Sequence, residues 1–129
     1  MSKKISFLKF IFHTSIIFLI VISLFPGSLF GLLVYQDLGR QADFIRNPFG
    51  TSINHFIYYS YVSSLGFFIY LKNKNFQKLV YCMFVLSITL ECFHLIIPNR
   101  SFQLGDLIAN ILGVTVAYFA VKIYLLFKS

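Results

Sequence analysis

The chain has 129 residues, of which 58% are hydrophobic and only 12% are charged, and its net charge is +7. Soluble domains carry about 25% charged residues, so one core of this size could not bury the apolar surface that this composition brings. The Lys and Arg residues lie in short clusters between apolar runs, a distribution that argues against a nucleic-acid partner.

Four apolar runs are long enough to cross a lipid bilayer, which takes about 20 residues in a helix. Each run is predicted to be helical, because a single span must satisfy its own backbone hydrogen bonds. The predicted helices cover about residues 8–25, 53–71, 79–97 and 104–127. We therefore predict an all-α fold, a four-helix integral membrane bundle that forms one membrane domain over residues 1–129.

The distribution of Lys and Arg among the loops predicts the orientation of this bundle. Eight of them lie in the N-terminus, the second loop and the C-terminal tail, whereas Arg40, Arg46 and Arg100 lie in the first and third loops. Cytoplasmic segments are enriched in Lys and Arg, so both termini are predicted to be cytoplasmic. The long first loop, residues 27–50, mixes polar and apolar residues. It is predicted either to lie on the outer surface or to dip back into the bundle.

Polar residues gather near the predicted outer ends of the last three helices. Glu91 lies within the third apolar run, where a carboxylate is costly unless it is paired, protonated or directed into the bundle. Polar or small residues recur at i, i+4 and i+7: they are Ser87, Glu91 and His94 on the third helix and Asp106, Asn110 and Gly113 on the fourth. His55 opens the second helix, and Arg100 is the cation nearest to the group.

Two interpretations of this group stay open from the residues alone. In one, the groups satisfy one another: Glu91 pairs with Arg100 or His55, and Asp106 stabilises the N-terminus of the fourth helix. In the other, they form an outward-facing pocket that could bind a metal ion, move a proton or hold a phosphorylated headgroup. For a metal the sequence offers only weak candidates, His55, Glu91 and His94, because di-iron bundles need two Glu-x-x-His pairs and this chain has one. His55 with His94, Glu91 or Asp106 could form a site for a single ion.

Several short motifs follow one another in the order found in a known family. They are Asn54-His55-Phe56, Glu91-x-x-His94, Pro98-Asn99-Arg100 and Asp106-Leu107-x-x-Asn110-x-x-Gly113. In this order they resemble the VanZ-like family of bacterial membrane proteins over about residues 52–118. Two positions differ from the family pattern: an Asp-Lys pair before His55 is absent, and His94 stands where the family has Gln.

The resemblance implies a multi-pass protein of the bacterial cytoplasmic (inner) membrane that acts at the cell envelope. The family takes its name from a protein linked to resistance against the glycopeptide antibiotic teicoplanin, so antibiotic resistance is the expected context. We predict that an anionic lipid or envelope precursor binds at His55, Glu91, His94, Arg100, Asp106 and Asn110. In this prediction Arg100 and His55 meet the anionic group, no residue is assigned a catalytic role, and no cofactor is needed.

Two other functions stay open beside this non-enzymatic one. The first is a membrane enzyme that acts on a lipid headgroup, in which His94 serves as general base or metal ligand and Glu91 orients it or serves as the acid. The second is a small subunit that stabilises a membrane complex, as a homo-oligomer or with a membrane-protein partner. The lipid bilayer is the surrounding medium in all three.

Overall fold

A computed structural model describes residues 3–128 of the chain. Over this range the regular structure consists of five α-helices and contains no strand. The helices are α1 (Lys3–Leu24), α2 (Leu29–Tyr35), α3 (Ser52–Tyr70), α4 (Phe76–Phe93) and α5 (Leu104–Lys128). The all-α prediction is confirmed, and the four predicted helices correspond to α1, α3, α4 and α5. The short α2 lies within the long first loop.

Three of the described helices, α1, α4 and α5, are long and apolar enough to cross a membrane. The helix α3 has 19 residues but carries Ser, Asn, His and Tyr side chains that make it less apolar than the other three. Part of this polar surface is turned toward α5, since α3 and α5 make the most extensive contact between any two of the described helices. Among the four long described helices, the one that is not apolar enough to count as a membrane span therefore takes part in the most extensive helix contact.

The backbones of α3 and α5 approach each other closely at Gly113. A Cβ atom at this position would lie 2.8 Å from the carbonyl oxygen of Phe56 and 2.9 Å from the backbone nitrogen of Ser60. Small residues allow this kind of approach between membrane helices. The core of the described residues consists mainly of apolar side chains from all four long helices, among them Phe12, Leu19, Val62, Phe67, Met83, Leu90, Val114 and Val121.

The helix α4 ends earlier than its apolar sequence indicates. The sequence predicts a helix over residues 79–97, but α4 spans Phe76–Phe93. After it, the backbone N–H groups of His94, Leu95 and Ile96 donate to carbonyl groups three residues earlier, which is the pattern of a tight turn. Pro98 accounts for this early end, because proline lacks an N–H and disfavours the helical conformation in the residue before it. As a result His94 lies at the C-cap, outside the regular helix.

The long first loop folds over the C-terminal end of α1 and the N-terminal end of α3. Its own backbone closes where the N–H of Ser28 donates to the carbonyl of Leu38 at 2.7 Å. The Asn54 amide nitrogen of α3 donates to the carbonyl of Ala42 at 2.9 Å and joins the loop to the helices. Several apolar side chains of the loop remain exposed, among them Leu33, Phe44 and Phe49. The loop is thus an ordered, partly apolar covering of this end of the bundle.

Candidate functional site

Polar side chains from α3, α4 and α5 meet at the end of the bundle that the loop covers. His55 lies in the first turn of α3, Glu91 in the last turn of α4, and Asp106 in the first turn of α5. A ring nitrogen of His55 and one carboxylate oxygen each from Glu91 and Asp106 lie within 4.8 Å of one another. Glu91 and Asp106 are each only 1% exposed. The site therefore holds two buried carboxyl groups next to one imidazole.

The hydrogen bonds of His55 define how its ring is oriented. Its Nδ1 lies 3.1 Å from Oδ1 of Asn110, and its Nε2 lies 3.5 Å from Oδ2 of Asp106. The amide nitrogen of Asn110 donates to the carbonyl of Ser87, which leaves Oδ1 of Asn110 to accept from His55. Ser52 donates to the other carboxylate oxygen of Asp106, Oδ1, at 2.6 Å. The His55 ring is thus held from one side by Asn110 and faces Asp106 with the other.

His94 connects Glu91 to the first helix. Its Nδ1 lies 3.2 Å from Oε1 of Glu91, and its Nε2 lies 3.1 Å from the carbonyl oxygen of Ser23. A carbonyl can only accept, so Nε2 of His94 donates to the end of α1. The backbone N–H of Gln103 donates to the same Oε1 of Glu91 at 3.2 Å. The second oxygen, Oε2, is buried and has no hydrogen-bond partner among residues 3–128.

Arg100 binds the C-terminal end of α1 and lies near both acids. Its Nε and Nη2 donate to the carbonyl oxygens of Phe25 and Ile22, a favourable arrangement because the C-terminus of a helix attracts cations. Burial lowers the pKa of the Arg100 guanidinium, whereas the charges of Glu91 and Asp106 raise it. The ion pair of Glu91 in the described chain is with His94, not with Arg100. Arg100 has five N–H donors, so it retains donors for a ligand.

A cavity of about 310 Å³ lies between α1, α3 and the loop. Most of its wall is apolar, formed by residues that include Leu19, Ile22, Leu29, Phe30, Phe44, Ile45, Ile57 and Tyr58. His55, His94 and Arg100 also line it. Because these three side chains belong to the polar group described above, the cavity combines an apolar wall with a polar, cationic side.

A second cavity of about 370 Å³ is lined mostly by polar residues and backbone. Its wall includes Gly39, Thr51, Asn99, Ser101 and Gln103. Ser28, Gln41 and Arg100 line both cavities. Arg100 therefore stands between an apolar compartment and a polar one, an arrangement suited to a ligand that has a charged headgroup and an apolar chain.

Five of the six predicted ligand-binding residues form two contacting groups. His55 contacts Asn110 and Asp106, and His94 contacts Glu91. Three of the six, His55, His94 and Arg100, line the apolar cavity, whereas the other three lie behind them. No motif in the sequence indicated the contributions of the loop, such as Ser28 and Gln41. The only signal for them was the mixture of polar and apolar residues in this segment.

A family model described as VanZ/LLP1 matches residues 4–127 of the 129-residue chain. This match confirms the resemblance that the motifs indicate. It also includes α1 and the long first loop, which lie outside the segment 52–118 in which those motifs occur. No curated protein and no solved structure matches the chain.

Proposed function

The chain belongs to the VanZ/LLP1 family, and on this basis we propose that it binds an anionic lipid or a lipid-linked envelope precursor. The shared chemistry is a phosphate-like headgroup on an apolar chain. The observation that carries the proposal is the position of Arg100, which lines both the apolar and the polar cavity. The apolar chain occupies the cavity of about 310 Å³, which lies within the range of ligand pockets, about 300–1,000 Å³.

The electrostatics of the site support an anionic headgroup. Guanidinium groups bind phosphate and carboxylate oxygens through charge-assisted, often bidentate hydrogen bonds. Arg100 donates two of its five N–H groups to carbonyls of α1 and is thereby held in position for the ligand. Glu91 and Asp106 lie behind the histidines and do not line the apolar cavity. The headgroup therefore meets Arg100, His55 and His94 before it meets a carboxylate.

The proposed topology has α1, α3, α4 and α5 crossing the bacterial cytoplasmic membrane with both termini in the cytoplasm. Support comes from the Lys residues, because Lys3, Lys4, Lys72 and Lys74 lie at the end of the bundle opposite the polar site. Lys9 also lies over the ring of Tyr70 at that end, 5.3 Å from its centroid, as expected where cations and aromatic rings meet the lipid headgroups. The site then faces the extracytoplasmic side, where an envelope precursor is available.

This topology predicts which loops a membrane-impermeant maleimide reaches in intact cells. Cys82 and Cys92 are free and exposed, so both are first replaced with Ser. In that background Asp43→Cys is expected to react in intact cells, whereas Lys74→Cys is expected to react only after permeabilisation. Both original side chains are exposed, so accessibility does not differ for structural reasons. The reverse pattern would contradict the proposed orientation.

Filling the apolar cavity is expected to exclude the lipid chain. Ile57 lines the cavity, and Ile57→Trp places an indole ring in the space that the chain occupies. We expect the amount of copurified anionic lipid, measured by mass spectrometry after detergent extraction, to fall about tenfold. The control is Ile88→Trp on α4, since Ile88 is similarly exposed but does not line either cavity. Unchanged lipid content in folded Ile57→Trp would argue against a chain-binding cavity.

An activity on the lipid headgroup is the second candidate function. The observation that favours it is the group of three potential metal ligands next to the cavity, because bound metal ions activate water and polarise phosphoryl oxygens. Incubating the zinc-loaded protein with radiolabelled phosphatidylglycerol tests it directly. Release of a labelled headgroup that stops in Asp106→Asn would support an enzyme, and an unchanged substrate pool would support a binding protein.

A further inference from the structure

We propose that His55, Glu91 and Asp106 form a binding site for one divalent transition-metal cation of the zinc type. Their ligand atoms come from three different helices, α3, α4 and α5, and lie within 4.8 Å of one another. The proposal does not depend on lipid binding, because it rests on the spacing of these three side chains, of which only His55 lines the apolar cavity.

The spacing of the ligand atoms is close to that of a metal site. In tetrahedral zinc centres the bonds to nitrogen and oxygen are about 2.0–2.2 Å long, which puts neighbouring donor atoms about 3.4 Å apart. The distance between Nε2 of His55 and Oδ2 of Asp106 is 3.5 Å. A cation at this position therefore needs only a small movement of the Glu91 carboxylate to complete three protein ligands. A water molecule or a ligand oxygen would supply the fourth.

The hydrogen bond to Asn110 determines which nitrogen of His55 is available. Asn110 accepts from Nδ1, so a neutral imidazole carries its lone pair on Nε2 and directs it at Oδ2 of Asp106. Two acceptor atoms then face each other beside a buried carboxylate, an arrangement that is unfavourable without a proton or cation between them. A metal ion between Nε2 and Oδ2 removes this conflict and uses both lone pairs.

The surrounding hydrogen bonds are those expected of an outer ligand shell. Metal-bound histidines donate their second ring N–H to an oxygen, and metal-bound carboxylates are themselves hydrogen-bonded. Oδ1 of Asn110 accepts a hydrogen bond from Nδ1 of His55, and the hydroxyl of Ser52 donates one to Oδ1 of Asp106. In Glu91, Oε1 is occupied by Gln103 and His94, whereas Oε2 is buried and has no partner within residues 3–128. In each carboxylate one oxygen has no hydrogen-bond partner among the described residues, and a cation in this group would give Oε2 of Glu91 a partner.

The donor set indicates the class of metal. One imidazole nitrogen and two carboxylate oxygens suit zinc, iron(II) or manganese(II) rather than calcium or magnesium, which prefer oxygen ligands only. The two carboxylates balance the charge of a divalent ion. Thiolate does not contribute, since Cys92, the nearest cysteine to Glu91 in the sequence, is exposed on the surface of the bundle.

Metal binding to the purified full-length protein tests the proposal. The protein in detergent is stripped with EDTA and titrated with cobalt(II), whose visible absorption reports coordination, and then with competing zinc. We expect about one zinc per chain and at least a tenfold loss of affinity in His55→Ala and Asp106→Asn, because each removes a direct ligand and even a change in the outer shell costs about 10–100-fold. The control is His13→Ala, because His13 is exposed on α1 and belongs to no ligand group among the described residues.

Thermal unfolding provides a second readout that separates binding from folding. Zinc should raise the Tm of the unmodified protein and of His13→Ala, but not that of Asp106→Asn, since only a ligand that binds the folded state stabilises it. Glu91→Gln keeps the side-chain volume and should behave like Asp106→Asn. If the folded protein does not bind zinc, or binds it equally well in all of these variants, the proposed site is wrong.

Discussion

Arg100→Gln is expected to reduce the binding of anionic lipid about tenfold or more and to remove the preference for anionic over zwitterionic headgroups. A hydrogen bond to a charged group contributes about 1.5–3 kcal/mol, and every 1.4 kcal/mol corresponds to a factor of about ten in affinity. Gln retains a polar side chain but has no charge. The measurement compares the binding of phosphatidylglycerol and phosphatidylcholine to the purified protein.

Arg100 also holds the end of α1, so its structural and binding roles must be separated. Arg100→Lys keeps the positive charge but loses the planar fork that reaches the carbonyls of Ile22 and Phe25. If charge is what binds the headgroup, Arg100→Lys retains most of the anionic preference even though its Tm falls. Arg46→Gln changes an exposed arginine in the long loop and should have no effect on either quantity. An unaltered headgroup preference in folded Arg100→Gln would contradict the proposed function.

Gly113→Leu is expected to produce the largest loss of stability, about 3 kcal/mol in the free energy of unfolding. Even a Cβ at this position would lie 2.9 Å or less from backbone atoms of Phe56 and Ser60, and backbone cannot move aside as a side chain can. Overpacking of this kind typically costs about 1–3 kcal/mol, and the larger side chain puts Gly113→Leu at the upper end. Unfolding in a denaturing detergent measures the change.

Ala120→Leu provides the control for this substitution. Ala120 lies on the exposed side of the same helix, where the larger side chain of Leu does not press against the core. We expect its unfolding free energy to stay within about 0.5 kcal/mol of the unmodified protein. Forcing α3 and α5 apart also separates His55 from Asn110, so zinc affinity should fall in Gly113→Leu but not in Ala120→Leu. Equal stability of the two variants would show that the close approach at Gly113 is unimportant.

The helices could be predicted from the sequence because their signals are local. An apolar run of sufficient length indicates a helix, and the i, i+4, i+7 spacing correctly grouped Asp106, Asn110 and Gly113, all of which are buried. The C-terminal end of α4 was predicted less accurately than the helices themselves. The apolar run continues to Ile97, but Pro98 acts on the residues before it and turns His94 out of the helix.

The partners of the polar residues could not be predicted, because they depend on how distant segments pack. The sequence suggested Arg100 or His55 as partners of Glu91, yet Arg100 donates to carbonyls of α1 and Glu91 pairs with His94. Of the residues that the sequence offered for a single-ion site, the structure brings ligand atoms of His55, Glu91 and Asp106 within 4.8 Å of one another, and His94 is not part of this group. Glu91 and His94 share one helix face and are visible as a pair, but Asp106 reaches the group from another helix.

The long first loop shows the same limit. Its mixed composition indicated a surface or re-entrant segment, and several of its apolar side chains are indeed exposed. Nothing in the local sequence indicated that Phe30 and Phe44 would form one wall of a cavity with residues of α1 and α3. The loop is held by hydrogen bonds from Ser28 to Leu38 and from Asn54 to Ala42, and no local motif indicated these pairings.

Photo-crosslinking of an anionic lipid tests the central claim most directly. Phosphatidylglycerol with a diazirine in its acyl chain is incorporated into membranes that contain the protein, and the attachment sites are mapped by mass spectrometry. We predict attachment to cavity residues such as Phe30, Ile45 and Ile57, competition by unlabelled phosphatidylglycerol, and loss of this labelling in Arg100→Gln. Labelling confined to the exposed apolar surface, such as Phe119 and Leu126, with no competition and no dependence on Arg100, would contradict it.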